Sequence, residues 1–541
     1  MLEKIKNKLK TTPKHVWILI GIILVGIFLR TYNFHDWLDF RLDQVRDATL
    51  VGEVVEGKAP WPDFGPTMRK SGTAKDALFR IGPAYYYMQI FSAKIFGNEP
   101  AKMAYPDLFF SILSIPLFYV FLNKYFQRKN AMVLTTIYSF SYFSVLYSRF
   151  AWNPNSIPFF VILFLLALYE FLSGEGKTHR GWIAAAGMAL GIGIQLHAIL
   201  FVLLPVVAFL TFVFLMKKNR QTWKKWAVVF LIALALNLGQ FVSEIKSGFA
   251  NTKILLNTPV NSASDGESLL VKVENAISCH FEANGYILSS AGQDTCARWY
   301  SKIMQGERIT KLHKGPGFWA GIGFSFLFSI FGYVLLLFRL VREKEKKKKY
   351  FLGLIGTFLA LSFLVMVPII SSGFLEFRYL IHTFFAPFIL LGLWLEFIAA
   401  KNNKVYPVSV ALVLAFLLLT NGIALRSKAA ELSSGNGSDD NSVFLGEAGS
   451  VVNYLSANSG NSKTAYFSGE GVYVKNFFQP FSYLAKKQNF DLVQAQDLDK
   501  LPTDGAVFYI RGKSDRIANE IRGYSVEDYK KFGQVVIYKL K

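Results

Sequence analysis

The feature that most constrains this chain is the recurrence of apolar stretches about as long as a bilayer is thick. A helix rises 1.5 Å per residue, so crossing the hydrocarbon core takes roughly 20 mostly apolar residues. Stretches of that kind occur near 16–32, 105–122, 131–148, 156–173, 181–197, 198–216, 227–243, 316–339, 350–371, 380–399 and 404–425. Lipid offers peptide groups no hydrogen-bond partner, so each stretch is read as a helix. Composition agrees: 52% of the 541 residues are hydrophobic and only 18% charged, where soluble proteins run near a quarter charged. The expected fold class is an all-α polytopic membrane protein of about 11 transmembrane helices.

The net charge of +22 would suit a nucleic-acid partner if it lay on one face. Instead it collects between alternate apolar stretches. The clusters are Lys4 to Lys14, Lys124 to Lys129, Lys177 to Arg180, Lys217 to Lys225, Arg339 to Lys349, and Lys401 with Lys404. Basic loops stay on the cytoplasmic side, so the N-terminus is expected inside and the C-terminus outside, with no nucleic-acid partner. A basic start before an apolar run also describes a signal peptide. Here Arg30, Thr31, Tyr32 and Asn33 follow in place of a small-residue cleavage site, and the run is read as a retained first span.

This topology divides the chain into a basic N-terminus (1–15), a membrane domain (16–425), a linker (426–442) and an extracytoplasmic tail (443–541). Two long outer loops, 33–104 and 244–315, interrupt the membrane domain. Cys279 and Cys296 share the second. A disulfide there suits an oxidising compartment and would contribute on the order of 3 kcal/mol; the alternative is two free thiols. The tail shows β-rich runs at 464–467, 506–510 and 534–540, and helix-like runs near 447–455 and 481–488. That alternation predicts a small α/β domain with no phosphate-binding loop or nucleophile elbow.

Chemistry-bearing residues gather at the outer boundary. Asp39, Asp43 and Asp47 recur every four residues, flanked by Arg41 and Arg46, so a helix would carry them as one acidic stripe. Val45, Ala48, Val51, Val54 and Val55 give that helix an apolar side suited to a membrane surface. The same stripe also fits a solvated face with local ion pairs. Next come Arg80, the Gly82-Pro83 break and the aromatic run Tyr85-Tyr86-Tyr87. These suit either an interfacial belt or a lipid- or sugar-facing wall with Arg80 available to a phosphate. Further polar groups at outer ends are Arg149 and Asn153 in the turn Ser148–Asn155, His197 after Gln195, and Glu376, Arg378 and Tyr379.

Four marks together carry a resemblance. They are the acidic motif Asp43-Gln44, the aromatic helix after Gly82-Pro83, the turn Ser148-Arg149-Phe150-Ala151-Trp152-Asn153-Pro154, and the pair Arg378-Tyr379. Over about residues 15–425 the chain resembles the bacterial membrane glycosyltransferases of the dolichyl-phosphate-mannose protein mannosyltransferase-like and aminoarabinose transferase-like group, which have the GT-C fold. The resemblance implies an inverting transfer of one sugar from a polyprenyl-phosphate donor to an extracytoplasmic acceptor hydroxyl, at a bacterial plasma membrane. It makes Asp43 the general base and Asp47 the reserve. The family commonly has Asp-Glu where this chain has Asp43-Gln44. Arg378 matches the late Arg-Tyr element and is the first choice for the phosphate, with Arg80 a second cation. Arg46, Tyr85, Tyr86, Arg149, His197, Glu376 and Tyr379 are candidate contacts. Asn153 either shapes the cavity or caps a turn.

No obligatory cofactor is expected. Asp43 and Asp47 could ligate Mg²⁺ or Mn²⁺, although carboxylates spread along one helix face cannot surround an ion. The competing readings are a transporter or flippase for lipid-linked saccharides and a polymerase or ligase using them. Transporters place ionisable groups near the bilayer midplane, and here the distinctive groups collect at one edge.

Overall fold

Helices apolar on every side are stable only among lipid or one another, and that requirement builds most of this molecule. The computed structural model describes residues 13–69, 78–174, 178–254, 269–292, 296, 316–369, 377–439, 442–460, 462–495, 505–513 and 516–541. Helix α1 (Lys14–Thr31) leads to α2 (Leu42–Val55) and a short hairpin, β1 (Thr67–Arg69) with β2 (Leu78–Arg80). Then follow α3 (Ala84–Phe96), α4 (Tyr105–Leu122), α5 (Arg128–Phe140), α6 (Ile157–Ser173), α7 (Arg180–Gly193) and α8 (Ala198–Lys218). The bundle continues with α9 (Trp223–Leu236), α10 (Leu238–Lys246), α11 (Leu269–Ser289), α12 (Pro316–Arg342), α13 (Lys346–Ile369), α14 (Ala386–Lys401) and α15 (Val405–Ser433).

Among the described residues, seven helices are long and apolar enough to cross a membrane: α1, α4, α6, α8, α12, α13 and α15. The number rises to nine if two bent pairs each count as one span, α9 with α10 (66°) and the 3-10 turn Phe377–Thr383 with α14 (59°). The expected spans near 131–148 and 181–197 are α5 and α7, only 13 and 14 residues long. Both stop short because a polar residue caps the next segment. Ser141 accepts the N–H of Ser144, and His197 accepts that of Ile199 at the start of α8. Hydropathy alone does not register such caps.

The segment 244–315, expected as an outer loop, contains α11. Ala276, Cys279, Ala283, Ile287 and Leu288 of that helix are buried in the same core as the apolar spans. Its polar residues hid it from a hydropathy reading, yet they are what dock it. Asn284 donates to Ser329 Oγ (3.1 Å), and the carbonyls of Ile287 and Leu288 accept from Ser141 (2.8 Å) and Asn421 (2.6 Å). Gly285 allows the approach, since a Cβ there would lie 1.9 Å from Ser325 Oγ. A disulfide joins Cys279 to Cys296.

The tail forms α16 (Leu445–Ala457), β3 (Thr464–Gly469), α17 (Gly471–Lys487), β4 (Asp491–Gln494), β5 (Ala506–Gly512), β6 (Glu520–Ile521), β7 (Tyr524–Phe532) and β8 (Val535–Leu540). The sheet order is β4-β3-β5-β8-β7-β6, with β3 parallel to β4 and β5 and the other pairs antiparallel. Val451, Leu455, Phe477 and Phe481 of α16 and α17 cover one face over Phe467, Phe508 and Ile510. One boundary differs from expectation, and one contact joins the tail to the membrane domain. Helix α15 runs on to Ser433, into the segment read as a linker. The domain is also fastened to the first loop: Phe40 N–H donates to Val443 (2.7 Å) and Leu445 N–H to Leu38 (2.9 Å), around a β-bridge between Asp39 and Phe444.

Candidate active site

Helix α2 starts at Leu42, so the expected stripe of three aspartates is split. Asp39 lies ahead of the helix, in the β-bridge with Phe444, and pairs with Arg41 at 2.8 Å. Burial raises its carboxyl above the usual range, with Arg41 opposing the rise. The helix begins with a capping box in which Gln44 Oε1 accepts the N–H of Arg41 (3.1 Å). The Gln44 amide also donates to the carbonyl of Ala151 (3.0 Å). A glutamate could not make that second bond, so the chain's departure from Asp-Glu ties α2 to the turn at 148–155. Val45, Ala48, Val51 and Val54 bury among Tyr85, Tyr86 and Ile90 of α3, against protein rather than against a lipid surface.

The remaining two aspartates are in different settings. The side chain of Asp43 is 59% exposed and that of Asp47 1%. Arg46 bridges them, donating to Asp43 Oδ1 through Nη1 (3.0 Å) and to Asp47 Oδ1 through Nε (2.8 Å). Tyr86 adds a 2.8 Å hydrogen bond to Asp47. Burial pushes the Asp47 carboxyl up to about 6, held from going further by Arg46 and Tyr86. Burial and the Asp47 charge also push the Tyr86 hydroxyl up, so it remains a donor.

Asp43 opens onto a cavity of about 980 Å³. Its walls come from the end of α1 (Phe28, Tyr32), the turn after α5 (Tyr142, Tyr147, Arg149, Trp152), Arg378, the last turns of α15 (Arg426, Lys428) and the tail (Phe444, Asn476). Aromatic faces and a surplus of cations make this a place for a sugar and an anion. Arg378 lies 5.8 Å from the Trp152 ring and 5.3 Å from that of Tyr379.

Other sequence-predicted residues hold the walls. Arg149 lines the cavity, but its guanidinium donates to the carbonyls of Leu29 (3.1 Å), Arg30 (3.0 Å) and Tyr32 (2.7 Å), capping α1. Tyr85 donates to Asp107 (2.7 Å), and Asn153 to the carbonyl of Leu196. His197 caps α8 and is buried. Arg80 is elsewhere: its backbone pairs with the Asn251 amide (2.7 Å each way) and its side chain lies over Phe64. Glu376 lies outside the described residues. The break at Gly82 has a packing cause, since a Cβ there would lie 2.2 Å from Gln195 Oε1, which accepts the N–H of Ala84 at 3.1 Å.

Three residues escaped the sequence reading. Asp107 is fully buried and accepts from Tyr85, Ser156 (2.8 Å) and the N–H of Trp152 (3.2 Å), fixing the wall beneath Arg378. A carboxylate two residues into an apolar span was its signal. Arg426 and Lys428 were announced by basic residues at the end of a span expected to finish outside, against the usual bias. As for a metal, no group of three or more His, Cys, Asp or Glu among the described residues is placed to hold an ion. The Arg46 guanidinium bridges Asp43 and Asp47, where an ion shared by both would have to be.

Residues 81–241 match the model of the family described as dolichyl-phosphate-mannose-protein mannosyltransferase. Among curated proteins, none matches the sequence. The fold is similar to that of ArnT from Cupriavidus metallidurans bound to undecaprenyl phosphate, at 11% identity and TM-score 0.52, covering 97% of each chain. It is also similar to the archaeal oligosaccharyltransferase AglB from Archaeoglobus fulgidus, in complex with an inhibitory peptide and a dolichol-phosphate. There the identity is 12% and the TM-score 0.50, over 89% of this chain and 64% of that one. The segment carrying Tyr85, Tyr86, Asp107 and Trp152 is the one the family model matches. The chain therefore shares its fold with ArnT over almost its whole length, and within that fold residues 81–241 match the mannosyltransferase family model.

Proposed function

We propose that the protein transfers one sugar from a polyprenyl-phosphate donor to an acceptor hydroxyl at the outer face of a bacterial plasma membrane, with Asp43 as general base. The observation that carries this is the sharing of one cavity by Asp43 and Arg378. Asp43 accepts the hydroxyl proton as the acceptor oxygen attacks the anomeric carbon from the side opposite the phosphate. The bond from that carbon to the phosphate oxygen breaks, and configuration inverts. The lipid phosphate leaves with growing negative charge, which the Arg378 guanidinium stabilises by forked hydrogen bonds in a poorly solvated site. Positioned base catalysis of this kind contributes about 10²- to 10⁴-fold.

Asp47 acts behind Asp43. Its charge engages one edge of Arg46, so Arg46 orients Asp43 without closing over both its oxygens. Phe28, Leu29, Tyr142 and Leu146 supply an apolar side of the cavity for the first isoprene units. No step requires a divalent ion, and activity should survive thorough EDTA treatment. The outer-face assignment rests on the basic loops, which put the ends bordering the cavity opposite the cytoplasm.

The test is incubation of membranes containing the protein with a panel of radiolabelled polyprenyl-phosphate sugars. One donor should lose its label to an acceptor with stoichiometric release of polyprenyl phosphate, and the new linkage should have the inverted anomeric configuration. Turnover of pyrophosphate-linked oligosaccharides alone would contradict the reading.

A further inference from the structure

The cavity carries more positive charge than a departing phosphate requires. Arg41 is matched by Asp39 at 2.8 Å, Arg149 is engaged with the end of α1, and Arg378 stands over Trp152. Arg426 and Lys428 lie on a different wall, where the last turns of α15 meet the tail. Lys428 lies 4.9 Å over the Phe444 ring and 3.1 Å from Glu431. Arg426 is exposed and has no acidic partner among the described residues. Two cations at the outer end of a span run against the bias that places six basic clusters between the spans on the cytoplasmic side, so they call for a local reason. Phe444 and Asn476 beside them belong to the tail, on the water side, where an acceptor rather than a lipid would approach.

Resting on the assignment of Asp43 and Arg378 above, we propose that Arg426 and Lys428 form an acceptor subsite for an anionic acceptor, a polymer or glycolipid bearing phosphate or carboxylate groups close to the hydroxyl that receives the sugar. The two charges would hold such a group while the neighbouring hydroxyl reaches Asp43. They would also raise the local concentration of a polyanion in a salt-dependent way. The second phosphate of a pyrophosphate lipid presents the same chemistry, and the test separates the two sources.

The full-length protein in neutral phosphatidylcholine nanodiscs is titrated with a fluorescent oligo(glycerol phosphate) and with an uncharged glucan oligomer of equal length. Both titrations are repeated with saturating undecaprenyl phosphate and with undecaprenyl pyrophosphate. The charged oligomer should bind in preference to the glucan and still bind with undecaprenyl phosphate in place. The Arg426→Gln/Lys428→Gln variant should bind the charged oligomer about tenfold more weakly with undecaprenyl phosphate affinity unchanged, which also reports that it is folded. The proposal is overturned if the two oligomers bind alike or if undecaprenyl phosphate displaces the charged one. It is equally overturned if the variant weakens only the pyrophosphate lipid, which would give the pair to the donor. Failure of undecaprenyl phosphate to bind the wild type would contradict the donor reading, while the oligomer comparison would still decide the subsite.

Discussion

The hydroxyl of Tyr86 donates to Oδ1 of Asp47 across 2.8 Å, inside a contact closed to solvent. That bond joins the helix that begins with the acidic motif to the aromatic helix after Gly82-Pro83. It places the two most recognisable pieces of the sequence in one unit, whose first turn, Leu42, Asp43 and Gln44, lines the cavity.

Asp47 gives the unit a pH dependence. Its carboxyl is raised from 3.8 to about 6, so between those values the folded protein holds a proton that the unfolded chain has lost. The group therefore weakens the fold as pH rises through that window, by roughly 3 kcal/mol in full. Denaturation of wild type and Asp47→Asn at pH 4 and pH 7 should show the balance shifting toward the wild type at the lower pH. For activity the sign is opposite. Below about pH 6 Asp47 becomes neutral and Arg46 keeps Asp43 as its acidic partner, so transfer should fall. Asp47→Asn should be slow throughout and lack that limb of the pH–rate profile.

Arg149 is expected to matter for stability rather than for the donor. Its guanidinium serves carbonyls of Leu29, Arg30 and Tyr32 at the end of α1, where the last carbonyls of a helix lack intrahelical partners. Arg149→Ala should destabilise by on the order of 3 kcal/mol, seen as a lower melting temperature in detergent, with donor KM within twofold of wild type at permissive temperature. Arg149→Lys should rescue little, since an ammonium cannot fork across several carbonyls.

Removing the Asp107 carboxylate should leave the hydroxyls of Tyr85 and Ser156 and the N–H of Trp152 unsatisfied together. Asp107→Ala should cost roughly 3 kcal/mol and lower kcat, because the wall under Arg378 loosens. Asp107→Asn keeps an acceptor oxygen and should lose less of both. Thermal melts and donor turnover on the pair check the ordering.

Much of the architecture was legible in the sequence because apolar length and basic clusters are local signals. Asp43, Gln44 and Arg378 were marked by motifs. What could not be read were the consequences of contacts distant in sequence. Nothing in Asp39-x-x-x-Asp43 says that the helix starts at Leu42 because Gln44 caps Arg41. Nothing near Phe40 says that Val443 pairs with it. Helix α11 was hidden because Asn284 satisfies its amide against Ser329 inside the bundle, which a hydropathy window counts only as polarity. Arg149 and Asn153 were singled out as candidate contacts, but a buried polar side chain reads the same whether it meets a substrate or a backbone carbonyl.

Arg378 should act on the donor. Arg378→Ala is expected to raise donor KM about tenfold or more and to lower kcat, as loss of a forked contact to a phosphate does. Arg378→Lys should recover part of the binding and less of the rate. Initial rates across donor concentration separate the two effects, and an unchanged donor response would remove Arg378 from the phosphate site.

The account turns on Asp43, and the most direct measurement is sugar transfer by Asp43→Asn at matched protein abundance, with the donor found in the radiolabelled panel. The amide should still accept the bond from Arg46, so the variant should fold, insert and bind donor as the wild type does. Its transfer rate should fall by at least about 10²-fold, the lower bound for a lost general base. Transfer at the wild-type rate would contradict the assignment and move the base elsewhere in the cavity.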